Sequence, residues 1–301
     1  MALRAWSSAR FTIALPEAHR FPIAKYAMIR DAVLRSGVLG HGRVEEPDRV
    51  ERWALQLAHT TRYVEAVMTG GLSAAEIRRL GLPWGEDLRE RSLHSVQGTI
   101  EAARDALADG AGVNLAGGTH HAFADRGEGF CVFNDVAVAI RVLQREGRIR
   151  RVAVVDLDVH QGNGTAAILA DDPDVFTFSM HGRKNFPFHK ERSRLDVDLE
   201  DGCPDSTYLD LLGRHLGPVL DEARADLVFY LAGADPFLGD RFGRLGLTRE
   251  GLRSRDRVVL SACRRRNLPV VLTLAGGYAS NLADVVTIHL NTLHELRDAC
   301  T

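Results

Sequence analysis

Beyond residue 110 the chain alternates short apolar, often β-branched runs with longer stretches whose apolar residues recur every three or four positions. The short runs read as strands at 112–116, 152–155, 175–180, 227–231 and 269–274. The longer stretches read as helices at 134–146, 165–169, 207–225, 249–265 and 281–296, with Gly213 and Gly217 interrupting the third. Upstream, 11–15 predicts a first short strand, and 25–36, 49–59, 61–68 and 88–109 predict helices. Ser73 three residues before Glu76 marks a capping box for a further short helix ending near Gly81.

Strand–helix alternation implies a parallel sheet with helices on both faces. The chain shows no Pro-, Gly- or Ser-rich linker and no internal repeat, so one α/β domain over 1–301 is expected, with residues 15–95 wrapping the sheet. Composition changes little in this picture. A hydrophobic fraction of 45% and a charged fraction of 26% suit a soluble protein with a sizeable core. A net charge of −2 gives no global reason to expect nucleic acid as a partner, and Arg264-Arg265-Arg266 reads as a helix-end cap. The four cysteines are far apart in sequence and suggest neither a disulfide framework nor a thiolate metal site. No run is long enough to span a bilayer, and residues 1–10 lack a secretory apolar core, so a cytoplasmic location is expected.

Candidate chemistry gathers where strands end, the usual ligand-binding edge of a parallel sheet. The strand at Val152 runs into Asp156-Leu157-Asp158-Val159-His160. If the extended form persists, Asp156, Asp158 and His160 share one side. Carboxylates collected in a closed site need a counter-charge, and a divalent metal supplies one. Other strands end in Gly117-Gly118-Thr119-His120-His121, Ser179-Met180-His181, Gly233-Ala234-Asp235 and Gly276-Gly277-Tyr278. Asp158, His160 and Asp235 form a three-ligand set suited to catalytic zinc. The histidine pair offers a base and an acid, Tyr278 a donor to a developing oxyanion, and Gly276-Gly277 a tight turn beside the site. The pattern points to metal-assisted hydrolysis.

These segments, with Gly129-Phe130-Cys131-Val132-Phe133-Asn134-Asp135 and Gln161-Gly162-Asn163-Gly164, resemble the zinc-dependent histone deacetylases and their bacterial relatives. Their order and spacing span about residues 90–280. Residues 15–22 and 239–243 are similar to the small branch that includes the class IV enzymes. The resemblance implies an arginase/deacetylase-like fold of about eight parallel strands. It implies that Asp158, His160 and Asp235 hold the metal, Zn²⁺ or else Fe²⁺, and that His121 is base and then acid. It implies that His120 acts electrostatically with Asp156 behind it, and that Asn163 backs His121 where many relatives carry Asp. Tyr278 then polarises the scissile carbonyl, Gly129 accepts from the substrate amide, and Phe130 with Phe186 lines a channel for lysine methylenes. Asp156, Asp158, His160, Ser179 and Met180 match a structural K⁺ site.

Plainer readings stand beside these. Phe130 and Phe186 also suit a core, Ser179 a satisfied hydroxyl, and Cys131 a buried thiol. His181 and His189 read as rim residues, His19, His59 and His94 as structural, and Asp125, Arg126, Glu128 and Asp240 as loop-ordering groups. The substrate expected is an acyl-lysine in a protein or peptide, or another acylated amine such as an acetylpolyamine. The absence of a large insertion suggests room for a long acyl chain. Two alternatives compete: a two-Mn²⁺ hydrolase of the arginase type, which needs more carboxylates, and an idle acyl-lysine-binding module, which would be expected to have lost a ligand, His121 or Tyr278.

Overall fold

The computed structural model describes residues 3–16 and 19–300, so Glu17 and Ala18 of the 15–22 segment lie outside the described residues. Eight strands form one sheet: β1 (Ala5–Trp6), β2 (Val44–Glu45), β3 (Ala111–Asn114), β4 (Val152–Asp156), β5 (Val175–Gly182), β6 (Leu195–Leu199), β7 (Leu227–Leu231) and β8 (Val270–Thr273). Their order is β2-β1-β3-β8-β7-β4-β5-β6, and every pairing is parallel.

The helices are α1 (Ala24–Ser36), α2 (Arg52–Leu55), α3 (Thr61–Thr69), α4 (Ala74–Leu80), α5 (Glu86–Asp109), α6 (Asp135–Arg145), α7 (Asn163–Leu169), α8 (Asp205–Ala223), α9 (Arg249–Arg265) and α10 (Leu282–Cys300). Helices α1, α8, α9 and α10 supply side chains to one apolar cluster, and α3, α5 and α6 to the other. In β4, Ala153 and Val155 join the first cluster while Val152 and Val154 join the second. A strand covered on both faces must be apolar at every position, which is why this run does not alternate. None of the described helices is long and apolar enough to cross a membrane.

The helix starts follow local chemistry. Ser73 accepts from Glu76 N while Glu76 reaches back to Ser73 N at 2.8 Å, the capping box expected from the sequence. Those hydrogen bonds from Ser73 hold the Glu76 carboxyl down at about 2.

Three expectations fail. Residues 11–15 are not a strand: Ile13 is buried and Thr12 exposed, but alternation reports a buried face, not a ladder partner. Ala5 and Trp6 take that place, in register with Val113 and Asn114. The 49–59 helix shrinks to the four residues of α2. Helix α8 runs unbroken through Gly213, Gly217 and Pro218, because Leu212, Leu216, Val219 and Leu220 are buried against the sheet and outweigh the local penalties. Strand β6 was not expected, although its Leu-Asp-Val-Asp-Leu alternation carries the signal.

Candidate metal centre and its surroundings

The polar strand ends converge, but not by strand alternation. After Asp156 the chain bends. Asp156 Oδ1 accepts from Asp158 N at 3.2 Å, and Asp158 Oδ1 accepts from His160 N at 2.9 Å. Two successive Asp side chains thus bond the amide two residues on, which turns the backbone. The turn gives the residues different partners: Asp156 bonds His120, whereas Asp158 and His160 gather with Asp235, Asp158 Oδ1 lying 3.9 Å from His120 Nε2.

Asp235 follows β7, the neighbour of β4, and is completely buried. Its Oδ1 accepts from Val159 N at 2.9 Å. Its Oδ2 is buried without a hydrogen bond and stands 3.3 Å from His160 Nδ1. Asp158 Oδ1 lies 2.9 Å from the same nitrogen. One ligand atom from each of Asp158, His160 and Asp235 falls within 4.8 Å of the others. The cradle around them lacks side chains. A Cβ at Gly276 would meet Asp235 Oδ2 at 1.9 Å, and one at Gly233 would meet Asp158 Oδ2 at 2.5 Å. Two carboxylates, an imidazole and an unsatisfied buried oxygen fit a divalent cation such as Zn²⁺.

The electrostatics agree. Burial disfavours charge at Asp235, and the nearby Asp158 carboxylate adds to this, lifting its carboxyl to about 7. For His160, burial acts downward, but the hydrogen bond to Asp158 and the close Asp235 carboxylate prevail and raise it to about 10. The cluster attracts positive charge.

Two further histidines sit between β3 and α6. His120 Nδ1 meets Asp156 Oδ2 at 2.7 Å, and His121 Nδ1 meets Asn163 Oδ1 at 2.7 Å. Burial opposes charge on both rings. At His120 the Asp156 carboxylate prevails and the ring is pushed up to about 9. At His121 burial with the charges of His120 and His160 outweighs the upward pull of Asn163 and Asp158 and holds it well below the usual imidazole range. Asn163 Nδ2 points towards Glu128 at 3.5 Å, leaving Oδ1 to accept from His121 Nδ1–H. The free Nε2 of His121 is then a neutral acceptor. One imidazole is held charged and its neighbour neutral.

Asp135 orders the approach to these rings. It accepts from Gly118 N at 2.9 Å, Thr119 N at 2.7 Å and Thr119 Oγ1 at 2.6 Å. Gly129 and Phe130 both have positive φ, +56° and +67°. A Cβ at Gly129 would stand 2.6 Å from His121 Cδ2, so only glycine passes this ring so closely. Phe186 packs edge-on to His121 with centroids 4.9 Å apart, and Phe130 lies 6.3 Å from Tyr278. Tyr278 is braced rather than free: its amide donates to Asp240 Oδ2 at 2.6 Å and its carbonyl accepts from Arg241 Nε at 2.9 Å.

His121, Gly129, Phe130, His160 and Tyr278 border two spaces. The outer one is an open mouth of about 550 Å³. The inner one, about 70 Å³, is lined by Tyr26, Arg91, Ser92, Ser95, Cys131 and neighbouring apolar groups.

Other expected residues fall in varied places. Asp156 pairs in register with Ser179, and both are buried, as is Met180. His181 is not on the rim. It is completely buried in β5, with Nδ1 2.9 Å from Ser179 Oγ and Nε2 3.0 Å from Asp198, because its side chain points from a fully covered strand. His189 is exposed, and His59 bridges Phe123 O and Asn134 N. His19 closes on Gly81 O at 3.1 Å and His94 on Pro47 O at 2.6 Å.

Two buried cations were not expected. Lys25 lies under the Tyr278 ring at 4.9 Å and donates to Gly277 O at 3.2 Å, bracing the loop that carries the phenol. Arg255, wholly buried in α9, donates from Nη1 to Leu157 O at 3.2 Å and to Gly233 O at 2.7 Å. These carbonyls precede Asp158 by one residue and Asp235 by two, so one guanidinium ties together the two strand ends that carry the clustered carboxylates. Arg255 pairs with Asp256 at 2.8 Å, and Asp256 also accepts from Tyr230 and Thr292. Arg255 and Asp256 fall three and four residues after buried Leu252 and four and three before buried Val259. An ion pair on the apolar stripe of a helix was the available signal. Replacing Arg255 by Met leaves Asp256 charged and unpaired in the core, and is expected to cost about 3–5 kcal/mol. Urea midpoints at unchanged slope check this, and adding Asp256→Asn is expected to restore part of the loss.

Residues 19–293 match the family model described as the histone deacetylase domain. The chain is 47% identical over 275 residues to an uncharacterized protein of Picosynechococcus sp., covering 91% of this chain and 92% of that one. It is 31% identical over 284 residues to histone deacetylase 2 of Arabidopsis thaliana, covering 91% of this chain and 73% of that one. The crystal structure of the HDA15 HD domain shares the fold, with a TM-score of 0.83 over 98% of this chain and 88% of that one at 22% identity.

Proposed function

This chain belongs to the histone deacetylase family, and from that premise we propose that it removes a short acyl group, acetyl above all, from a lysine side chain by metal-dependent amide hydrolysis. The observation that carries the reading is the buried Asp158–His160–Asp235 cluster beside a neutral imidazole and a phenol. We assign Asp158, His160 and Asp235 as the metal ligands. A bound Zn²⁺ or Fe²⁺ supplies a Lewis acid for the carbonyl and lowers the pKa of water.

The remaining chemistry belongs to the chain. His121 takes the proton of the attacking water at Nε2 and returns it to the leaving amine. His120, held charged by Asp156, stabilises developing negative charge beside it. Tyr278 donates to the carbonyl oxygen as its charge grows. Gly129 O accepts from the substrate amide, and Phe130 and Phe186 flank the methylenes. The inner cavity is small, about 70 Å³ against about 550 Å³ for the mouth, which supports acetyl over a long fatty chain.

The K⁺ site is proposed on the adjacency of Asp156, Ser179 and Met180 in β4 and β5. A single catalytic domain over 1–301 is supported by the one sheet that holds all eight strands. Four unpaired cysteines fit a reducing, cytoplasmic location.

The test is hydrolysis of acetyl-, octanoyl- and myristoyl-lysine peptides and an N-acetylated polyamine by protein loaded with Zn²⁺ or Fe²⁺, with a chelated control. Turnover should fall from acetyl to myristoyl, vanish on chelation and return on reloading. Faster myristoyl turnover would remove the short-acyl assignment. Metal-loaded protein that turns over nothing would leave an idle binding module.

A further inference from the structure

The net charge of the chain is −2, yet the mouth of the site is strongly basic. Arg20, Arg79, Lys184, Arg241 and Arg244 all line it and all are exposed. They come from four separate segments: the loop before α1, helix α4, the loop after β5 and the loop after β7. No Asp or Glu is among the lining residues.

Two acids beside the mouth, Asp240 and Asp201, are already committed. Asp240 accepts at Oδ1 from the amides of Phe242 and Gly243 and at Oδ2 from that of Tyr278. Asp201 reaches Lys184 at 3.8 Å and Arg244 at 3.3 Å. Arg20, Arg79 and Arg241 have no carboxylate partner among the described residues. Arg241 is also held in place, since Nε donates to Tyr278 O and Nη2 to Arg20 O at 3.3 Å. Phe188 stands 81% exposed on the same rim.

A solvated basic face is the ordinary fate of surface arginines. It does not account for five like charges drawn from four segments around one concave opening whose lining residues include no acid. Such a mouth focuses positive potential on whatever enters. We propose that it selects acyl-lysines embedded in acidic peptide segments, with Asp or Glu close to the lysine on either side, and disfavours cationic polyamines. Phe188 and Phe242 would contact the peptide's apolar groups while the cations meet its carboxylates. This rests on the lysine-deacylase reading above.

Three acetyl-lysine peptides, alike except for acidic, neutral or basic flanks, test it alongside an N-acetylated polyamine. At low salt kcat/KM should favour the acidic over the basic peptide roughly tenfold, the product of a few exposed ion pairs. The difference should lie in KM and shrink as the Debye length falls from about 10 Å at 0.1 M to about 3 Å at 1 M salt. The double variant Arg20→Glu, Arg79→Glu should narrow or reverse the ratio; neither side chain makes a hydrogen bond or ion pair to another described residue. Equal kcat/KM for acidic and basic peptides, or a ratio indifferent to salt, would overturn the proposal. Peptide binding to Tyr278→Phe, followed by fluorescence anisotropy, separates the two readings. Equal Kd values for acidic and basic flanks sink the acidic-peptide proposal. An acidic preference in binding without turnover by the native protein upholds it and sinks the deacylase reading.

Discussion

Alanine in place of His121 is expected to lower kcat on an acetyl-lysine peptide by about 10²–10⁴-fold, the range for a positioned acid–base group. The argument rests on the contrast between two adjacent rings. Their centroids are 4.2 Å apart and both are buried. His120 has a carboxylate behind it and His121 a carboxamide. A carboxylate stabilises the charged ring far more than a neutral oxygen does, so at neutral pH His120 carries a proton that His121 does not. Only the neutral ring can accept a proton at Nε2. Because His121 is not one of the proposed ligands, the variant should still bind one metal ion, measured by elemental analysis. A variant that kept its metal and lost less than about tenfold in kcat would deny His121 this role.

Phenylalanine in place of Tyr278 is expected to lower kcat and kcat/KM together by about 10²–10³-fold, as loss of an oxyanion donor does. The phenol borders both the inner cavity and the mouth, and its hydroxyl makes no hydrogen bond to another described residue. Burial lifts its pKa well above the usual phenol value, so it remains a donor across the working range. The stacking of the ring is unchanged by the substitution: Lys25 at 4.9 Å and Phe242 at 4.9 Å still have a ring to meet. The Asp240 and Arg241 bonds go to the backbone. The urea midpoint should therefore stay near that of the native chain, which separates a lost donor from a lost fold. A rise in KM with kcat intact would assign Tyr278 to ground-state binding instead.

Much of this arrangement was written locally. The apolar run at β4, the Ser73–Glu76 cap and the alternation from residue 111 onward are short-range patterns, and short-range forces decide them. The residues proposed to carry the chemistry stood out as well, because polar groups at the carboxyl ends of buried parallel strands have few structural reasons to be there. What the sequence could not state is which ends meet. Asp158 and Asp235 share a site because β7 lies beside β4, a pairing between segments more than seventy residues apart.

Three particulars depended on tertiary structure. Asp156, Asp158 and His160 do not share a strand face; two Asp-to-amide bonds bend the chain and send Asp156 to His120 instead. Lys25 and Arg255 sit among apolar helix positions, and a charge on a helix reads as solvent-facing until its buried partners are known. The basic mouth is assembled from four segments whose separate charges are unremarkable in a chain of net −2. By itself the sequence determined the elements and the kinds of side chain at their ends, since these follow from neighbours along the chain. Which groups touch, which proton each holds and what charge the opening presents were decided only by packing, since burial and proximity are properties of the assembled fold.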